Sequence, residues 1–137
     1  MKRIFVDTGG WYALVDADDP DHEPVAATFR AWQGRLVTSN YVFDETLTLM
    51  RYKLGWPIAQ RFGQQLRDGR IAKVERITQK DEAAAWAIFE RYDDKCLSFT
   101  DCTSFAMVQR LELPLCLAID SDFRAFGLHC LPDSHVS

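Results

Sequence analysis

Short apolar runs alternate along the 137 residues of this chain with stretches whose apolar positions recur at helical spacing. Lys2 to Val6 reads as a strand, and Gly9-Gly10 permits a tight turn into a short helix, Trp11 to Val15. Asp18-Asp19-Pro20-Asp21 is a turn with helix-start chemistry. Pro24 suits the first turn of a helix whose Val25, Phe29 and Trp32 fall near i, i+4, i+7 spacing. Arg35 to Thr38 predicts a second strand, after which Ser39 or Asn40 caps a helix ending near Gly55. Pro57 begins another helix that runs to about Asp68-Gly69, and Ile71 to Ile77 alternates as a strand. Thr78 opens a helix to about Tyr92, and Thr100 opens another to about Glu112. A buried strand from Leu115 to Ile119, a turn or helix from Ser121 to Phe126, and a terminal strand near Leu128 to Leu131 complete the order.

Strands alternating with helices predict an α/β fold, a parallel sheet covered by helices on both faces. The length suits one domain, residues 1–137, with a full core and no repeat or linker dividing it. In open sheets of this kind, ligands collect outside the carboxyl ends of the strands.

Composition changes the picture in three places. The longest apolar stretches fall far short of the ~20 residues of a membrane helix, and no signal peptide is legible, so the expected compartment is the cytoplasm. Cys96, Cys102, Cys116 and Cys130 form no C-x-x-C pair and sit in or beside apolar segments, which predicts reduced core thiols. The net charge of −4 hides an asymmetry: from Arg51 to Lys80 eight basic residues face only Asp68 and Glu75. A belt including Arg51, Lys53, Arg67, Arg70 and Lys73 is compatible with a phosphate backbone lying across one face, and equally with an ordinary solvated surface.

The candidate chemistry lies in four acids at awkward places. Asp7 follows Ile4-Phe5-Val6, Glu45 lies within a helix, Asp101 ends Ser98-Phe99-Thr100-Asp101, and Asp120 follows Leu115-Cys116-Leu117-Ala118-Ile119. At about 100° per residue, the helix neighbours of Glu45 are Tyr41, Val42, Leu49 and Tyr52, so it points from an apolar stripe, whereas Asp44 falls beside Thr48 and Arg51. Burying an unpaired carboxylate costs several kcal/mol, so Glu45 needs a cation or a donor. The other three also have bland readings: Asp7 as a turn residue, Asp101 as a helix-start acid behind Ser98 or Thr100, and Asp120 or Asp122 as a cap. Hard oxygen ligands without His or Cys among them suit Mg²⁺ or Mn²⁺. Two of the acids, Asp7 and Asp120, lie at strand carboxyl ends by sequence alone.

Taken together, Ile4-Phe5-Val6-Asp7-Thr8, the Glu45 helix, Leu97-Ser98-Phe99-Thr100-Asp101 and Ala118-Ile119-Asp120-Ser121-Asp122-Phe123 resemble the acidic motifs of PIN-domain nucleases. The likeness is greatest to the small single-domain toxin ribonucleases of the VapC type, and it spans essentially the whole chain. It implies a three-layer α/β/α sandwich with a parallel sheet of about five strands, and Mg²⁺ or Mn²⁺ in an acidic pocket. It also implies RNA cleavage, a homodimer, and inhibition by a small antitoxin protein. Asp7, Glu45, Asp101 and Asp120 match the family's acidic positions, with Asp122 as the alternative to Asp120. Ala118 departs from the family, where many relatives carry a hydroxyl residue before the last acid.

On this reading Asp7 and Asp101 hold the principal metal, Glu45 and Asp120 bind directly or through water, and Thr8 and Thr100 steady carboxylates or metal waters. Without metal the acids repel one another. A pair ~4 Å apart at an effective dielectric near 20 costs about 4 kcal/mol, so some should hold protons at neutral pH. Trp11, Tyr12, Phe29 and Trp32 are mostly expected in the core, with some available to line an antitoxin groove. Other readings stay open. Asp7-Thr8-Gly9 is the aspartic-protease tripeptide, an Asp-nucleophile phosphotransferase would want an acid where Gly9 stands, and His22, His129 and His135 lie apart from the acids. A non-catalytic RNA-binding module, or a nuclease of RNA processing rather than a toxin, would share many of these residues.

Overall fold

A computed structural model describes residues 2–133. The elements follow in the order β1 (Arg3–Val6), α1 (Thr8–Val15), α2 (His22–Ala31), β2 (Arg35–Ser39), α3 (Asn40–Leu54) and α4 (Trp56–Arg67). They continue with β3 (Lys73–Glu75), α5 (Gln79–Arg91), α6 (Phe99–Arg110), β4 (Leu115–Leu117), α7 (Ser121–Ala125) and β5 (His129–Leu131). All four strand pairings are parallel, in the order β3-β2-β1-β4-β5. The expected five-strand α/β fold is present. Because parallel crossovers are right-handed, the connections running from β1 to β3 lie on one face of the sheet and those returning to β4 and β5 on the other. The direction of winding reverses between β1 and β4, which opens a crevice at their carboxyl ends.

Several helix starts follow from local chemistry. Ser39 caps α3 by accepting from the Val42 amide at 3.0 Å, and Thr78 with Asp81 forms a capping box at α5. The opener of α6 is Ser98 rather than Thr100, again in a capping box, with Asp101 as its acid. Gly9-Gly10 does not make a turn: both lie inside α1. Their use is close approach, since a Cβ on Gly10 would meet Leu117 at 2.6 Å (Cδ2) and 2.7 Å (carbonyl oxygen). The bare backbone lets α1 settle against the end of β4.

β3 pairs over three residues, although the alternation runs from Ile71 to Ile77. It is an edge strand with one partner, so the ladder stops where β2 stops. Trp11, Phe5, Phe105 and Phe123 are fully buried in the main core. A buried polar chain secures the end of β1: Trp11 Nε1 donates to Thr38 Oγ1 at 3.2 Å, and Thr38 donates to the Val6 carbonyl at 2.9 Å. Three cysteines are buried free thiols as expected, but Cys96 is exposed, because the segment between α5 and α6 turns away from the core. Among the described residues no helix is long and apolar enough to cross a membrane.

Candidate active site

Three of the four acids occupy helix starts around the crevice. Asp7 is the N-cap residue of α1, Asp101 stands in the first turn of α6, and Asp120 is the N-cap of α7. The strand ends deliver the first and last of these, and the Asp7 amide donates to the Leu117 carbonyl at 3.1 Å, tying β1 to β4 beneath the site. Glu45 enters from the second turn of α3, and the Thr8 hydroxyl donates to its Oε1 at 2.6 Å.

Asp7 has been placed with the least compensation of the four. Asp7 is 5% exposed, and its Oδ1 has no hydrogen-bond partner. The hydroxyls of Thr46 and Ser104 are the other such buried atoms among the described residues, and neither carries charge. None of the ion pairs among the described residues includes Asp7, Glu45, Asp101 or Asp120. Burial pushes the Asp7 carboxyl up to about 8, reinforced by the charges of Asp101, Glu45 and Asp120 against an opposing hydrogen bond from the Thr8 amide. Burial likewise raises Asp101 to about 6, with Glu45 and Asp120 adding to it and the Ser98 contacts opposing. Asp7 and Asp101 therefore both feel the charges of Glu45 and Asp120.

Several bland readings hold in part without removing the puzzle. Asp101 does serve its helix, accepting from the Ser98 amide at 3.2 Å through Oδ2. Asp120 serves α7, accepting from the Asp122 amide at 2.9 Å through Oδ1. Each has a second oxygen outside its capping bond. Asp122 is half-buried; burial raises its carboxyl, as do the charge and side chain of Asp120, and it is not among the charges acting on Asp7 or Asp101. Thr100 makes no side-chain hydrogen bond to an acid among the described residues; its carbonyl accepts from Thr103 at 2.7 Å. Ala118 is buried against the core and offers no side-chain donor.

The apolar stripe around Glu45 is real only near its start. Val42 is buried and Tyr41 and Leu49 are half-buried, but Tyr52 is 87% exposed, on a turn of α3 whose Leu54 still packs against the core. Glu45 is accordingly half-buried, and its donor is a hydroxyl rather than a cation. Of the two residues that the sequence offered in front of Asp101, Ser98 and Thr100, the structure selects Ser98, whose S-x-x-D spacing forms a capping box. Sequence reasoning missed an exposed aromatic cluster beside the site. Trp86 and Phe89 stack at 5.6 Å, and Phe99 bridges them to Tyr41, whose hydroxyl donates to Glu82.

The other expected groups separate. Arg67, Arg70 and Lys73 line one groove, while Arg51 and Lys53 are exposed at the end of α3, where Lys53 stands 5.4 Å over the Tyr12 ring. Trp11 and Tyr12 are core residues, and Phe29 and Trp32 are half-buried. His22 contacts the Ala13 carbonyl at 2.7 Å and His129 pairs with Asp133, so neither is hydrogen-bonded to the four acids, while His135 lies outside the described residues. The parallel α/β sheet does not fit the nearly all-β architecture of a dyad protease.

A divalent ion fits this donor set. The oxygens are hard, the Asp7 Oδ1 is buried without a partner, and the mutual repulsion of the acids is what a cation would relieve. Among the described residues no three His, Cys, Asp or Glu side chains stand close enough to form a ready-made coordination shell. Mg²⁺ and Mn²⁺ both take hard oxygens of this kind, and Mg²⁺ keeps several waters and needs only one or two protein carboxylates.

Comparison with known proteins agrees with the geometry. The family model for the PIN domain matches residues 4–127. The 23S rRNA-specific endonuclease VapC20 of Mycobacterium tuberculosis is 35% identical over 124 residues, covering 90% of this chain and 94% of the relative. A VapC ribonuclease of Archaeoglobus fulgidus is 32% identical, over 86% of this chain and 77% of its own length. The crystal structure of M. tuberculosis VapC20, described as a sarcin-ricin loop cleaving toxin, superposes with a TM-score of 0.86 at 34% identity, covering 91% of this chain and 95% of that one. FitAcB from Neisseria gonorrhoeae shares the fold, with a TM-score of 0.70 at 15% identity over 93% of this chain and 95% of its own.

Proposed function

This chain belongs to the PIN domain family, and on that premise we propose that it is a Mg²⁺- or Mn²⁺-dependent endoribonuclease, the toxin of a toxin–antitoxin pair acting in the cytoplasm. The observation that carries the reading is a set of four carboxylates with no ion-pair partner among the described residues, of which Asp7 and Asp101 are raised by the charges of the others and Asp7 has a buried, unpartnered oxygen. In this reading Asp7 and Asp101 hold the ion, and Glu45 and Asp120 complete its surroundings directly or through water. When bound, such an ion supplies a nucleophilic water at neutral pH and offsets charge developing on the scissile phosphate.

The chain's own residues do the positioning. The Thr8 hydroxyl orients Glu45, the Ser98 amide takes one oxygen of Asp101, and the Asp122 amide takes one oxygen of Asp120. Each acid is thereby turned with a defined oxygen left for the ion or its waters. Since VapC20 is named for 23S rRNA, ribosomal RNA is the first substrate to try. The purified protein should shorten RNA in Mg²⁺ or Mn²⁺, lose this in a chelator, and lose it on Glu45→Gln. Survival of cleavage in the chelator would remove the metal from the reading, and RNA protected without being shortened would leave only a binding module.

Partners follow the same reading. The stacked Trp86 and Phe89, 54% and 42% exposed, support a homodimer that covers them, which sedimentation of the wild type and of Trp86→Glu would test. A small antitoxin should neutralise the protein on co-expression. If the protein is harmless alone in a bacterial host, the toxin assignment fails while the nuclease assignment stands.

A further inference from the structure

A groove of about 1000 Å³ lies along the β2–β3 edge of the sheet, and its lining gathers cations from three separate parts of the sequence. Arg3 comes from β1, Arg35 from β2, and Arg67, Arg70, Lys73 and Arg76 from the segment between α4 and α5. Register places Arg3 beside Arg35, and Val37 beside Lys73, so Arg3, Arg35 and Lys73 project from one face of the sheet. Glu75 is the one acid in the lining, and it is taken by Lys73 at 3.1 Å. Arg35, Arg67, Arg70 and Arg76 have no ion-pair partner among the described residues. Four arginines without an ion-pair partner among the described residues thus line one trough on a chain of net charge −4.

From these observations we infer that the groove binds the sugar–phosphate backbone of the RNA substrate, away from the acids that would cut it. The identification of the ligand as substrate rests on the nuclease reading above. The acidic basin repels a polyanion, so productive binding needs cations elsewhere, within reach of the same strand. β3 lies two strand spacings, roughly 10 Å, from β1, and Arg76 sits at the carboxyl end of β3, on the side of the sheet where Asp7 ends β1. The groove runs from the amino end of β2 at Arg35 to that carboxyl end, ~15 Å of strand, enough for several consecutive phosphates. Guanidinium forks favour phosphate oxygens in two-pronged contacts. Contacts to the sugar–phosphate backbone carry no sequence information, so in this role the groove supplies affinity and direction rather than sequence choice.

The test uses the full chain, a fluorescein-labelled RNA stem-loop, and chelator to prevent cleavage, with anisotropy followed from 50 to 200 mM KCl. Arg67→Gln/Arg70→Gln removes two exposed cations of the groove. Its plot of log affinity against log salt should be shallower by about 1.5, with ~10-fold weaker binding at low salt and an unchanged melting temperature. Arg30→Gln/Arg91→Gln, an equal charge change outside the groove, should leave the slope alone. Equal slopes for the two double variants would overturn the groove in favour of diffuse attraction. Displacement of the RNA by a stoichiometric amount of polyglutamate, from wild type but not from Arg67→Gln/Arg70→Gln, would assign the groove to an acidic protein segment and overturn it too. Cleavage in Mg²⁺ separates the two readings. Full efficiency in Arg67→Gln/Arg70→Gln sinks the groove and keeps the nuclease; groove-dependent binding without any cleavage sinks the nuclease and keeps the groove.

Discussion

Asp7 and Asp81 are both buried carboxylates at the start of a helix, 5% and 2% exposed, and they have opposite chemistry. Burial pushes Asp81 upward, but the Arg110 guanidinium, at 2.8 Å to each oxygen, and the Thr78 contacts outweigh it and hold the carboxyl below its usual range. Asp7 has the same burial with acids for neighbours, and it ends near 8. A buried acid with a built-in cation has a structural purpose that is complete within the fold. A buried acid among acids has an unmet requirement, and something from outside must satisfy it.

Substituting Asp7 should separate the two cases most sharply. Asp7→Asn should cut RNA cleavage by more than the ~100-fold that loss of an outer-shell partner costs, measured as initial rate in Mn²⁺. The same change should stabilise the metal-free protein, because it removes a buried charge. The sign follows from the shift: the folded state holds a proton on Asp7 up to about pH 8, the unfolded chain only to about 3.8. Metal-free wild type should therefore lose stability as pH rises from about 4 to about 8, with Asp101 contributing below about 6. Asp7→Asn should flatten that slope and melt roughly 5 °C or more above wild type at pH 8. A variant that melts lower throughout would make Asp7 structural, like Asp81.

Arg110→Ala should do the reverse. It strands the Asp81 charge, and a fully buried pair broken in this way costs about 3–5 kcal/mol. Arg110 is 35% exposed, so screening by solvent reduces the expected loss to about 2 kcal/mol. Denaturant unfolding should show this while cleavage per folded molecule stays at the wild-type level. A matching fall in cleavage would mean that the α5–α6 contact also shapes the acidic basin.

Thr8→Val tests the hydroxyl that orients Glu45. A 10- to 100-fold drop in rate is expected, with about 1 kcal/mol of stability lost; an unchanged rate would show that Glu45 needs no fixed orientation. The finest distinction is between Asp120→Asn and Asp122→Asn. Asn caps a helix as well as Asp does, so the first change isolates charge. Asp120→Asn should weaken Mn²⁺ binding in titration calorimetry and lower the metal-free midpoint of Asp7 titration, whereas Asp122→Asn should do neither. Equal effects would return the two acids to a shared role.

Much of this was legible in the linear chain. The alternation of apolar runs and helical stripes contained the parallel sheet, and the strand-then-acid pattern at Asp7 and Asp120 already pointed to the carboxyl edge. Glu45 was legible through its 3.6-residue spacing, though the stripe overstated its burial, since periodicity marks a face of the helix and not how much of it other elements cover, as the exposed Tyr52 shows. Gly9-Gly10 misled for a related reason. A glycine pair signals a turn locally, and only the lack of room for a Cβ on Gly10, which would come within 2.6 Å of Leu117, shows that Gly10 serves packing.

The sequence by itself determined which residues are acids, which segments are helices and strands, and therefore that hard ligands would gather at one end of a parallel sheet. Those are matters of local chemistry and periodicity, which do not depend on distant partners. Tertiary structure alone decided which buried acid would meet Arg110 and which would meet three other carboxylates. It also decided that Arg3 and Arg35 would join Arg67, Arg70 and Arg76 in one groove. Electrostatic character is set by neighbours in space, and the sequence order of a charge does not reveal them.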